Sequence, residues 1–126
     1  MELDFINNVN EFDESVVRLY NFNKEEAILF RDLIQTVIIE NTTRLDLSSI
    51  PFIENRNCNL ILGHFKTDEG IISSDHNTFY CALTKEAYIT MIGLLEPFCI
   101  KETKGYQYLY DIDNPIDFLF SPAGTW

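Results

Sequence analysis

The chain has 126 residues, 46% of them hydrophobic, and 20 acidic against 9 basic side chains give a net charge of −11. One domain spanning residues 1–126 is expected at that length, and the apolar content excludes an acid-rich disordered tail. The charge disfavours nucleic acid, anionic membranes and polyphosphate substrates; it fits a basic protein partner, a cation, or plain solubility.

The opening Met1-Glu2-Leu3-Asp4 shows neither the basic nor the apolar region of a secretory signal, and no apolar run is long enough to cross a bilayer. A cytoplasmic location is therefore expected. Phe5, Ile6, Val9 and Phe12 recur at helical spacing, which admits an extra N-terminal helix, although Asn7, Asn8 and Asn10 oppose it. Residues 15–22 are β-branched and aromatic and predict a strand.

Asn23 followed by Glu26 three residues later predicts a capping box. Ala27, Phe30, Leu33, Ile34, Val37 and Ile38 then predict a helix over 24–39. Leu33 and Ile34 are both expected to be buried. Ile28, Leu29 and Ile39 widen the stripe, so burial on two sides is expected, by a sheet and by a second element or another copy in a homodimer. A short strand is expected within 44–50. Strands are also expected over 58–66, 71–74 and 78–83, as a meander or a bulged hairpin, with Gly70 ending the first turn. Thr84 predicts the cap of a second helix over 85–96, ended by Pro97. A last hairpin joins residues 106–112 and 116–121. The order β-α-β-β-β-α-β-β predicts an α+β fold, a mainly antiparallel sheet with two main helices packed on it.

Motifs for chemistry are missing: there is no GxxxxGK[ST], GxGxxG, GxSxG or HExxH pattern. Cys58, Cys81 and Cys99 form no CxxC pair and are expected to be buried, reduced and slow to react. His64 sits within an apolar strand and His76 in a turn. Cys58 with His64, or Cys81 with His76, could be drawn as a nucleophile and base, but neither spacing has a supporting motif. A metal held by Asp68, Glu69, Asp75 and His76 would need two turns at opposite ends of one strand to converge. No catalytic residue, cofactor or metal ligand is assigned.

In the final hairpin, pairing Ile112 with Ile116 would put Tyr108, Tyr110, Ile112, Ile116, Phe118 and Phe120 on one face. Asp111 would then oppose Asp117, with Asp113 at the tip, and opposed like charges are costly unless something relieves them. Asp111, Asp113 and Asp117 are therefore the candidate contact residues for a basic protein partner. Trp126 ends the sequence and is expected to fold back onto the domain. The expected function is that of an acidic binding module, of the kind an inhibitor or immunity protein would be. A small-ligand binder or enzyme with a pocket between sheet and helices is the alternative.

Overall fold

The computed structural model describes residues 1–7, 14–73, 75 and 77–124. In chain order the elements are β1 (Glu2–Ile6), β2 (Ser15–Tyr20), α1 (Lys24–Leu33) running on into π-helical turns (Ile34–Glu40), β3 (Leu45–Asp46) and a 3-10 turn (Leu47–Ser49). There follow β4 (Glu54–Asn55), β5 (Asn59–His64), β6 (Gly70–Ser73), β7 (Thr78–Leu83), α2 (Lys85–Ile100), β8 (Gln107–Tyr108) and β9 (Ile116–Ser121). The fold is α+β, as the element order predicts.

The strands form two sheets rather than one, ordered β4-β1-β2-β9-β8 and β3-β5-β7-β6. Four of the seven pairings are antiparallel and three, β1·β4, β2·β9 and β5·β7, are parallel. The expected meander is therefore corrected. β5 and β7 lie side by side and parallel, and the chain between β5 and β6 crosses the end of β7 to reach its far side. Backbone bonds from Phe65 to Leu83 and from Glu69 to Ala82, with the Asp68 carboxylate on the Thr84 N–H, hold that crossing. Gly70 ends it at φ +79°, a conformation that glycine adopts without a steric penalty.

Residues 2–6 are a strand, not the N-terminal helix that their spacing admits. Leu3 is fully buried, and Glu2 and Asp4 point outward to Arg56 and Arg18. Val9 and Phe12 lie outside the described residues. α1 starts on the predicted capping box: Asn23 Oδ1 accepts the Glu26 N–H at 2.9 Å, and the Asn23 N–H reaches Glu26 Oε1 at 3.1 Å. Ile34 and Ile38 are fully buried, whereas Leu33 is half-buried and Leu29 is 50% exposed. The second flank of the helix is covered by α2, with Arg31 bridging to Glu96. A segment of the same chain thus occupies the side that suggested a homodimer.

α2 starts at Thr84, whose hydroxyl accepts the Ala87 N–H, and it passes through Pro97 to Ile100 instead of stopping. Proline in a helix removes one N–H and crowds the carbonyl four residues earlier. That earlier residue is Gly93, and both Gly93 and Pro97 are exposed, so water can satisfy the freed carbonyl. Phe98 and Cys99, beyond the proline, are buried and reward the extension. The inner faces of both sheets and the two helices share one apolar cluster, to which β1 contributes Leu3, β7 Phe79 and α2 Tyr88. Phe5 of β1 and Phe79 of β7 touch at 4.6 Å between ring centroids, where the sheets converge.

Candidate functional site

The last two strands carry the residues singled out in the sequence, in a different register. The observed pairs are Gln107 with Phe120 and Tyr108 with Leu119, one residue away from the expected alignment. The Leu109 N–H bonds to the Phe118 carbonyl, and Leu109 is buried. Tyr108 is 44% exposed and leaves the aromatic wall, of which Phe118 and Phe120 form the buried part. The expected register rested on one face of the hairpin being apolar. But β9 lies inside its sheet, between β2 and β8, and Phe118, Leu119 and Phe120 are all buried. With both faces covered, alternation does not discriminate between registers.

Residues 109–115 form a clamp between the sheets rather than a tight hairpin tip. The Tyr110 hydroxyl accepts the Ile71 N–H at 3.1 Å and donates to the Ile116 carbonyl. The Asn114 amide donates to the carbonyls of Glu69 and Ile71 and accepts the Ile116 N–H. β6 is an edge strand, and these bonds occupy backbone groups that an edge would otherwise offer to another chain.

Outside that clamp lies the acidic site. Asp117 is half-buried on β9, and Asp111 is exposed on the loop. The Asp117 carboxyl is held above the usual carboxylate range by burial first, then by Glu14 and by Asp111. Asp117 and Asp111 are thus brought together, and Glu14 joins them; Asp113 sits exposed on the turn. The Tyr108 hydroxyl feels the same field and is pushed up by burial, Asp117, Tyr106 and Glu14. Tyr106 and Tyr108 meet edge to face at 5.7 Å, and both are exposed. A groove beside them is lined by Thr90 and Leu94 of α2 with Gln107, Tyr108, Tyr110 and Asp111. Glu14 and Tyr106 are the site residues that sequence reasoning missed, and Tyr108 is read there only as part of the aromatic wall. Glu14 reaches the cluster because Ser15 aligns with Ile116 in the parallel β2·β9 ladder, a pairing with no local sequence signal.

A carboxyl whose folded pKa is raised favours folding in its neutral form. Its stabilisation is present below the ordinary carboxylate value and is lost as the pH rises through the folded value. Asp117→Asn is therefore expected to be more stable than the parent at pH 7, by about 0.2–1 kcal/mol, the range for relieving a like-charge contact. The gap should close as the pH falls through the raised folded value to below the ordinary carboxylate range, where the parent carboxyl is protonated. Urea melts of both proteins across that range check this; an Asn variant less stable at neutral pH would mean that the carboxylate is held by favourable bonds.

All three cysteines are free and buried. Burial pushes the Cys58 thiol up to about 11 and the Cys81 thiol up to about 12, and it raises Cys99 as well. Since the thiolate is the reactive form, native protein should label with a thiol reagent at neutral pH far more slowly than urea-unfolded protein. Equal rates would reopen thiol chemistry. His64 bonds through Nε2 to the Ile38 carbonyl at 2.7 Å, so that nitrogen is committed to the end of the first helix. His76 lies outside the described residues, as does Trp126; before the latter, the Ala123 N–H bonds back to the Phe22 carbonyl. Among the described residues no group of three or more His, Cys, Asp and Glu could hold a metal ion, and no helix is long and apolar enough to cross a membrane. No family model, curated protein or solved structure matches the chain.

Proposed function

We propose that the protein is a binding module for a basic protein, which docks on the β8 edge through Tyr106 and Tyr108 and on the carboxylates of Glu14, Asp111 and Asp117. Asp113 adds charge at the exposed turn. The observation that carries this reading is the exposed tyrosine pair beside Asp117, Asp111 and Glu14, where the neighbouring carboxylates add to burial in raising the Asp117 carboxyl. Tyrosine supplies a rigid apolar ring with a polar tip, the character of interface anchors. An incoming Lys or Arg is attracted by the carboxylates and also relieves their mutual repulsion. The three free thiols support a reducing, cytoplasmic setting. An inhibitor or immunity-type role fits a small acidic module of this kind, by analogy of charge and size.

The test is affinity capture from host lysate at low and high salt with mass-spectrometric identification. The parent is run beside two double variants, Tyr106→Ala with Tyr108→Ala and Asp111→Asn with Asp117→Asn. One basic protein should be retained by the parent at low salt and lost from both variants. Removing the charges should act mainly on the association rate and its salt dependence. Retention of the same protein by both variants would place the interface elsewhere.

A further inference from the structure

The second sheet buries one face against the helices and leaves the other open. On the open face Ile61 of β5, Tyr80 of β7 and Ile72 of β6 lie in one transverse row. Tyr80 is 39% and Ile72 45% exposed. The next row is Gly63, Ala82 and Gly70, which have little or no side chain. Phe65, 43% exposed, stands beyond it. Ile61, Ile72, Tyr80, Gly63, Ala82 and Phe65 line a hollow of about 160 Å³, open to solvent on one side. An apolar cavity of about 150 Å³ is large enough for a benzene ring.

Arg44 lines the same hollow. A Cβ at Gly63 would come within 3.2 Å of Arg44 Cγ, so the arginine stem lies across β5 where the glycine leaves room. Arg18 pairs with Asp4, Arg31 with Asp32 and Glu96, and Arg56 with Glu2 and Glu54. Arg44 makes no ion pair among the described residues, although the chain carries 20 acids. Asp46, two residues on, has its Oδ1 occupied by Ser48 and Asn59. The hollow thus combines an apolar, ring-sized space with a guanidinium that lacks a carboxylate.

We infer that this hollow is a binding site for a small apolar monocarboxylate, with the ring or branched chain over Gly63 and Ala82 and the carboxylate on Arg44. It lies on the outer face of the sheet and does not depend on the acidic site at β8. The guanidinium supplies two parallel N–H donors to a carboxylate, and such charge-assisted pairs are the stronger hydrogen bonds. The net negative charge of the protein repels an anion and keeps affinity modest, and salt screens that repulsion together with the attraction of Arg44.

The probe is phenylacetate, titrated into ¹⁵N-labelled protein and followed by amide shifts. Saturable shifts at Ile61, Gly63, Tyr80 and Ala82 are expected, with millimolar or tighter affinity. Phenylacetamide, which keeps the ring and loses the charge, should bind at least about tenfold more weakly, and Arg44→Gln should lose the same factor for phenylacetate. Arg44→Lys should recover part of it. Ala82→Leu fills the floor and should abolish binding, and the melting curve of each variant reports whether it still folds. A peptide arm, Gly-Gly-Phe with its free carboxylate, identifies the source: binding tighter than phenylacetate would mean that the natural acid is a polypeptide C-terminus. The inference is overturned if phenylacetate gives no saturable shifts, or if Arg44→Gln binds it as the parent does. It is equally overturned if sedimentation shows a dimer that Tyr80→Asp abolishes, since a second copy would then cover this face.

Discussion

Phe120→Ala is expected to lower the unfolding free energy by about 3–5 kcal/mol, read as a fall in the urea midpoint at unchanged slope. Phe120 is fully buried on β9, which lies inside its sheet between β2 and β8. Its ring centroid lies 4.1 Å from Phe22, 5.2 Å edge-on from Phe98 and 5.9 Å from Phe30. These neighbours come from the turn before α1, from α1 itself and from the last turn of α2. One side chain therefore joins the sheet to both helices. Aromatic neighbours held by separate elements cannot collapse into the space that alanine would leave, so the cavity term adds to the lost transfer term. Tyr108→Ala is the control. In the register that the sequence suggests, Tyr108 faces Phe120 as part of one wall; in the observed register it is exposed, and its loss should stay within about 0.5 kcal/mol. Comparable costs for the two variants would favour the expected register over the observed one.

The features legible in the sequence are those whose partners lie within a few residues. The Asn23–Glu26 capping box, the Thr84 cap, the turn glycine at 70 and the strand character of 15–20, 59–64 and 78–83 all appear where their spacing predicts them. What escaped depends on distant pairing. Residues 15–20 and 116–121 align in parallel across about the whole chain, and this places β9 inside the sheet and buries both its faces. From the sequence the same strand looks like the outer arm of a hairpin. The crossing over β7 is equally silent, because Thr67-Asp68-Glu69-Gly70 has the composition of a tight turn whether or not its strands pair.

The candidate site followed the same division. Asp111 and Asp117 could be named because acids near a hairpin stand out in composition, and the structure does bring them together. Their opposition across a ladder was the wrong reason, since the ladder pairs other residues and residues 109–115 leave it to clamp β6. Glu14 belongs to the cluster through β2·β9 alone. Asp113, within the same loop, lies exposed on its turn. Proximity along the chain was a poor guide here because the loop bends around Tyr110 and Asn114, whose side chains bind backbone groups more than 35 residues away.

Tyr88→Phe is expected to cost about 1–3 kcal/mol, although it keeps the ring and removes a single oxygen. Tyr88 is fully buried on the first turn of α2, and its hydroxyl reaches the β5·β7 ladder. There it accepts the Gly63 N–H at 2.9 Å, and its one proton goes to the carbonyl of Cys81 or to that of Gly63 at 3.0 Å. The parallel register sets Leu62 beside Cys81 and Gly63 beside Ala82, so the Gly63 N–H and the Cys81 carbonyl face each other across the strands. The hydroxyl joins both, tying the helix to the sheet at the row that floors the Arg44 hollow. Without it the Gly63 N–H and the carbonyls of Gly63 and Cys81 lose the phenol as a partner. Each buried polar group left short of a partner carries a desolvation cost. Native-state hydrogen exchange reports where that cost falls: faster exchange at Gly63 means that its N–H depended on the hydroxyl, whereas unchanged protection with a small stability loss means that the ladder holds it without the phenol. No change in either stability or exchange would show that the hydroxyl contributes nothing to the ladder.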